Sequence, residues 1–292
     1  MGPMDRTSNA PPLHPMAGMD AFAPAQIADL VETRGVAKAT AGTMATLVLG
    51  VVAGAYIALG AVFSTTVATG SELGYGPTRL LAGVAFSLGL ILVVVAGAEL
   101  FTGNTLIVLA VASRRVTVRQ LARNWSLVFV GNLIGALSVA VMVTVGGWWE
   151  GGDDAVGTTA ITIAAQKAAL PFGTVFVRGI LANALVCLAV WLATGGRSVV
   201  DKVVAIVPAI AAFVASGFEH SIANAYFIPA GILMDGRAPA PADLPPPDLG
   251  GFLQNLAAST LGNIVGGGVL VALVYWFVYL RAPSRTPGDP PR

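Results

Sequence analysis

Four stretches of this chain contain no Asp, Glu, Lys or Arg: residues 39–71, 80–98, 125–149 and 249–280, which are 33, 19, 25 and 32 residues long. A hydrocarbon core of about 30 Å takes roughly 20 apolar residues per helix, so a run of this kind fits a membrane crossing. The 292-residue chain holds only 16 Lys+Arg and 15 Asp+Glu, 11% in all, against roughly 25% in a soluble domain. So few charges do not coat the two globular surfaces its length would otherwise suggest. The expectation is an all-α, polytopic membrane protein.

Other classes fall on the same residues. A net charge of +1 without a basic cluster gives no nucleic-acid footprint. One cysteine, Cys187, excludes a disulfide framework or a thiolate metal centre. The two histidines are His14, in a Pro-rich tail, and His220, so an intramembrane bis-His haem lacks its ligands. No metal or cofactor is expected. The first 38 residues contain no apolar core of a signal peptide.

Six spans fit the hydropathy: 44–68; 78–98 continuing through 106–112; 127–147; 174–193; 203–218 continuing through 222–233; and 256–280. The second and fifth are interrupted by Gly and polar residues. Twelve of the 16 cations lie in the N-tail, the 2–3 and 4–5 loops and the C-tail, and the opposite loops carry only Arg79, Lys167 and Arg237. The excess of Lys and Arg marks the cytoplasmic side, so both termini are expected there. Residues 1–38 read as a cytoplasmic tail that is Pro-rich and disordered at first. It then forms a short amphipathic helix over 24–38, with Ile27, Leu30, Val31 and Val36 near helical spacing. This helix is either an interfacial anchor or a gate under a pore. Residues 39–281 form the membrane domain and 282–292 a second cytoplasmic tail. Five prolines within 239–247 mark an external loop.

The two halves align with each other. Residues 97–104 (GAELFTGN) and 217–224 (GFEHSIAN) share Gly-x-Glu-x4-Asn, and Asn124-x6-Gly131-Asn132-x2-Gly135 matches Asn255-x6-Gly262-Asn263-x2-Gly266. Repeat one covers about 44–147 and repeat two about 174–280. With three spans each, an odd number, they lie in the membrane with opposite orientation, and broken helices at matching positions mark a substrate path near the midplane. Broken backbone persists in hydrocarbon only when buried in protein or lining a cavity. The N-termini of the resumed half-helices favour anions.

Few residues in the spans carry chemistry. His220 is the only histidine there; it is either a structural group bonded to a carbonyl or, from its place at a repeat-matched break, a pore-lining donor. Glu99 and Glu219 suggest a proton relay, but a carboxylate beside a helix break also braces loose backbone. Asn104, Asn224, Asn132 and Asn263 are expected to join that bracing, the last two as donors from the neighbouring half. Lys167, in the external 3–4 loop, either draws anions to the mouth or is a solvated surface lysine. The glycines at 131–135 and 262–268 are expected to allow close helix packing.

The segments 97–105 (GAELFTGNT), 124–137 (NWSLVFVGNLIGAL), 179–191 (GILANALVCLAVW), 213–229 (FVASGFEHSIANAYFIP) and 260–275 (TLGNIVGGGVLVALVY) resemble the formate/nitrite transporter family, and most closely its formate channels. In the first break FTGN stands where the formate-channel pattern has FTST. The resemblance spans about residues 24–281. It implies an aquaporin-like six-helix protomer, with helices two and five broken, in a bacterial inner-membrane homopentamer with one pore per protomer. It implies that His220 is the central histidine and Thr102 the loop threonine facing it. Phe86, Leu90, Leu100, Phe101, Val186 and Phe213 would form hydrophobic constrictions, Lys167 would be the vestibule lysine and Asn183 the pore-lining asparagine. The N-terminal helix matches one associated with pH-dependent gating.

The function expected is therefore passage of small monovalent weak-acid anions, formate first, with nitrite or hydrosulfide through the same pore as the alternative. An isolated carboxylate in low dielectric is so costly that it tends to become neutral, which asks for a donor such as His220 at the point of desolvation. Partners are the anion, membrane lipid and further copies of the chain. An intramembrane hydrolase using Ser221 beside His220 fits poorly, because adjacent residues rarely reach each other as nucleophile and base and no Gly-x-Ser-x-Gly elbow is present. A neutral-solute channel for water or ammonia is a third class.

Overall fold

The computed structural model describes residues 20–281. The Pro-rich segment 1–19, with Arg6 and His14, and the segment 282–292, with Arg285 and Arg292, lie outside the described residues. The described residues are almost entirely helical, with no β-strand among them. Five helices are long and apolar enough to cross a membrane: Thr43–Ala68, Tyr75–Gly97, Val118–Val145, Phe172–Gly195 and Leu249–Leu280; Phe101–Ala112 and Ser221–Met234 are shorter apolar helices.

In chain order, α1 is Pro24–Thr40, α2 Thr43–Ala68 and α3 Tyr75–Ile91, which runs on as a π-helical turn, Leu92–Gly97. After an extended break come α4 (Phe101–Asn104), a 3₁₀ turn (Thr105–Ile107) and α5 (Val108–Ala112). Then follow α6 (Val118–Val145), α7 (Ala155–Ala168), α8 (Phe172–Gly195), α9 (Val199–Ala215), α10 (Ser221–Met234) and α11 (Leu249–Ile264), the last continuing into π-helix over Val265–Leu273 and Trp276–Leu280.

Local chemistry explains where the helices start. The expected third span began at 127, yet α6 begins at Val118. Thr117 and Gln120 form a reciprocal cap there, with Gln120 N–H donating to Thr117 Oγ1 at 3.2 Å and Thr117 N–H to Gln120 Oε1 at 2.9 Å. Helix α9 likewise begins at Val199, not 203. Asp201 Oδ2 accepts from the Ser198 and Arg197 N–H groups, both at 2.9 Å, and Ser198 Oγ accepts from Asp201 N–H at 3.1 Å. At 17 residues and 1.5 Å per residue, α9 alone falls short of the hydrocarbon thickness.

The bonds to Asp201, from the Ser198 backbone foremost, hold its carboxyl below the usual aspartate range. Their contribution is present above the unfolded pKa, about 4, and is lost as pH falls through the lower folded value. Asp201→Ala should therefore lower the thermal midpoint in detergent slightly at pH 7, and the gap to the unchanged protein should close as the pH drops below about 4. A gap that widens in acid would contradict this.

One expected feature changes. The segment between the third and fourth long helices is not a loop: it contains α7, with Lys167 in its last turn. The helix at the N-terminus packs on protein. Ile27 and Val31 of α1 join Leu106, Leu109 and Trp191 in one apolar cluster, and Gly35 faces Ala110 and Ile107.

Pairing of α2 with α6 and of α8 with α11 forms the frame of the molecule. A Cβ on Gly135 would overlap the Val51 carbonyl, and one on Gly266 would overlap the Ile180 carbonyl. The expected role of these glycines, close helix approach, is what the backbone spacing demands.

Candidate functional site: two braced breaks and the contact between them

At each break the chain turns through a left-handed glycine, Gly97 (φ +86°) and Gly217 (φ +70°), a conformation that side chains strain. Extended residues follow, and a new helix starts at Phe101 or Ser221. The broken ends carry backbone groups that the membrane cannot hydrate. One asparagine per break absorbs them. Asn132 Oδ1 accepts from Phe101 N–H at 2.8 Å while its Nδ2 donates to the Gly50 and Glu99 carbonyls at 2.7 and 2.9 Å. Asn263 does the same for Ser221 N–H at 2.9 Å and for the Gly179 and Glu219 carbonyls at 2.8 and 3.0 Å.

The carboxylates have other partners. Glu99 pairs with Lys38 Nζ at 3.0 Å and accepts from Asn104 Nδ2 at 2.7 Å; Glu219 pairs with Lys167 Nζ at 3.0 Å and accepts from Asn224 Nδ2 at 2.6 Å. Asn124 and Asn255 complete the two frames by donating to the Lys38 and Lys167 carbonyls, each at 3.0 Å. Asn132 and Asn263, expected as donors from the neighbouring half, bond backbone groups of their own half instead, because the helix that carries each one packs beside the break of its own repeat. The arrangement suits support better than proton relay, because each carboxylate is held at both oxygens.

The frames also show a residue that the sequence reading passed over as a site. Lys38 occupies in the first frame the position of Lys167 in the second, so α1 is the counterpart of α7. The signal was present: Lys38 precedes Gly50 by the same interval at which Lys167 precedes Gly179.

Two cavities adjoin the breaks. The first, about 380 Å³, is lined by Arg34, Lys38, Glu99 and Asn104 together with the apolar Leu90 and Leu100. The second, about 80 Å³, is lined by Arg79, Lys167 and Asn224, by Phe86 and Phe213, and by His220. Helix α3 serves both. Arg79 and Phe86 face the second cavity, while Leu90, with Val93 of the π-helical turn that follows, faces the first. From Phe86 to Leu90 is about one turn, roughly 5.4 Å of rise. The Phe86 ring meets Phe213 edge-on at 5.6 Å, and Phe213 lies 5.9 Å from the His220 ring. Phe101 and Val186 line neither cavity; Phe101 is wedged between Trp125 and Phe129, at 5.9 and 5.0 Å.

His220 caps α10. Its Nδ1 accepts the Ala223 N–H at 3.1 Å, and its Nε2 lies 3.0 Å from Thr102 Oγ1. A ring nitrogen that accepts a backbone N–H carries no hydrogen, so the proton of the neutral imidazole is on Nε2. Asn183 is fully buried and lines neither cavity. Its Nδ2 donates to the Asn263 and Thr102 carbonyls at 2.7 and 3.2 Å and to Thr105 Oγ1 at 3.1 Å. It therefore ties the two breaks together behind the Thr102–His220 contact. Among the described residues no group of His, Cys, Asp or Glu is arranged to hold a metal.

Comparison with known proteins gives concordant matches. The sequence profile described as formate/nitrite transporter matches residues 25–277. The formate channel FocA of Escherichia coli (strain K12) is 43% identical over 273 residues, covering 90% of this chain and 96% of the relative. A probable formate transporter of Methanothermobacter thermautotrophicus is 40% identical over 252 residues, 80% of this chain and 89% of the relative. A solved structure described as a pentameric formate channel with formate bound superposes with a TM-score of 0.75 at 40% identity, covering 82% of this chain and 98% of that one.

Proposed function

The chain belongs to the formate/nitrite transporter family, and from that premise we propose that it is a pentameric inner-membrane channel for small weak-acid anions, formate foremost, with one pore in each protomer. It is a multi-pass membrane protein. In this reading six crossings, with the second and fifth broken, form an aquaporin-like inverted repeat, both termini are cytoplasmic, and the pore joins the two cavities across Leu90, Leu100, Phe86 and Phe213. Phe101 and Val186 act from behind that layer by packing.

The observation that carries the reading is the Thr102–His220 contact beside two cavities that are lined from opposite ends of α3. A carboxylate leaving water for an apolar ring needs a donor where its hydration is lost. His220 Nε2–H donates to Thr102 Oγ1, so a substrate reaching this contact takes a share of that hydrogen or accepts the Thr102 hydroxyl hydrogen that the pairing leaves free. The cap on Nδ1 constrains the chemistry further. Giving up the Nε2 proton from this tautomer would leave an imidazolate, which water-like acidities do not permit. His220 thus polarises the substrate by hydrogen bonding, and any proton that crosses with the substrate enters with it from the aqueous cavity. The Lys38–Glu99 and Lys167–Glu219 pairs, with their asparagines, keep both breaks in place.

The test is stopped-flow uptake by the purified protein in liposomes, with formate, nitrite, hydrosulfide and lactate compared. Formate entering fastest, accelerated by an inward proton gradient, is expected. Flux of water or ammonia without weak-acid flux would refute the proposal.

A further inference from the structure

The lysine of each cavity is paired with a carboxylate. Lys167 Nζ lies 3.0 Å from Glu219 Oε1, and Lys38 Nζ lies 3.0 Å from Glu99 Oε1. Each pair has no net charge, and its field decays faster than that of a lone cation. Each cavity, however, holds one more cation. In the second it is Arg79 and in the first Arg34. Among the described residues, neither has a carboxylate in ion-pair contact.

Their hydrogen bonds leave the charge standing. Arg79 Nη2 donates to the Val214 carbonyl and its Nε to the Ala215 carbonyl at 3.5 Å. These carbonyls close α9, and a helix C-terminus carries only about half a negative charge. The guanidinium keeps further N–H groups for a ligand on the cavity that also contains Phe86, Phe213 and His220. Arg34 Nη1 donates to a neutral group, Thr194 Oγ1, at 3.0 Å.

Nor does the repeat account for these arginines. The interval that carries Lys38 onto Lys167 carries Arg34 onto Ile163, and the interval that carries Glu99 onto Glu219 carries Arg79 onto Val199. Two mouths built on duplicated, charge-neutral frames have each been given one uncompensated positive charge from an unrelated position.

We propose that Arg79 and Arg34 are the anion-receiving residues of the two mouths, each binding a small monovalent carboxylate before it is desolvated, and that the lysine–glutamate pairs are supports. The proposal rests on the weak-acid channel reading.

The experiment measures initial formate flux against concentration in liposomes carrying the protein in one orientation, at low and at high ionic strength. For flux entering from the second cavity, Arg79→Gln should raise the half-saturating formate concentration about 3- to 10-fold at low salt, with the maximal rate within about 2-fold, because only the local enrichment of the anion is lost. The unchanged protein should lose the same advantage in high salt, so the two converge there. Arg79→Lys keeps the charge but cannot fork across two carbonyls, and it should restore the low half-saturation. Arg34→Gln should act alike on flux entering from the other face.

If Arg79→Gln leaves half-saturation and its salt dependence unchanged while the parent conducts formate, the receiving role is wrong and the channel reading stands. If Arg79→Lys is as impaired as Arg79→Gln, the arginine is a backbone clasp and the receiving role is again wrong. If the parent protein passes no weak acid at all, both proposals fall together.

Discussion

His220→Phe should reduce formate flux in liposomes by about 100-fold or more, the loss typical of removing one preorganised donor from a developing or desolvated oxyanion. The phenylalanine ring keeps the apolar bulk beside Phe213 but removes both nitrogen functions: the cap on Ala223 N–H and the donor facing Thr102. Two amide variants separate these functions. His220→Asn places its oxygen near Nδ1, so it preserves the cap and loses the pore donor. His220→Gln places an N–H near Nε2, so it preserves the donor and loses the cap. If the histidine acts by hydrogen-bond donation, the Gln variant retains measurable flux and the Asn variant does not, although the Asn variant is the better folded. Undiminished flux in His220→Phe would remove the histidine from the mechanism. A Gln variant as silent as Phe, in an intact oligomer, would show that a titratable ring is required.

Asn263→Leu should have the largest effect on stability. The leucine has similar volume, yet it orphans Ser221 N–H and the carbonyls of Gly179 and Glu219, all of which Asn263 now bonds. An unsatisfied buried polar group costs about 1–3 kcal/mol, and three sit together where no water is at hand. The protein should fail to reach a monodisperse oligomer in detergent, or should unfold at a markedly lower temperature. Asn132→Leu should do the same through Phe101 N–H and the Gly50 and Glu99 carbonyls. Asn263→Asp, which keeps the acceptor for Ser221 N–H, should fall between leucine and the parent. A leucine variant as stable as the parent would mean that the break finds other partners, and the asparagine would then not be the brace described here.

Much of this was legible in the sequence because it rests on pattern. Apolar runs without charge locate all five long helices, since hydrocarbon thickness leaves little choice, although the polar first turns of α6 and α11 put their starts at Val118 and Leu249, ahead of the expected 127 and 256. The paired Gly-x-Glu-x4-Asn motifs locate both breaks, since only glycine turns the chain at Gly97 and Gly217 and only a polar set can quiet the loose backbone. What escaped was everything decided by direction. Whether Asn132 faces a carboxylate or a carbonyl depends on a rotamer. That Lys167 is paired, and in a helix, depends on a fold-back between α7 and the second break. Arg79 reads as a loop cation in sequence because its partners, the Val214 and Ala215 carbonyls, are backbone groups far along the chain. The tautomer of His220 follows from one bond to Ala223 N–H that no spacing rule supplies. Lys38 is the exception: its interval to Gly50 repeats in Lys167 and Gly179, so the pairing of the two lysines is legible in the repeat.

The two frames have a consequence for biogenesis. Every bond that closes the first frame joins residues between Lys38 and Asn132, and every bond that closes the second joins residues between Lys167 and Asn263. A nascent chain can therefore close the first frame before the trailing half has been translated. Contacts across the halves, such as Thr102 with His220 and with Asn183, come only when the second half docks. The contact proposed to carry the substrate is therefore absent from the leading half alone and is made only when both halves are present.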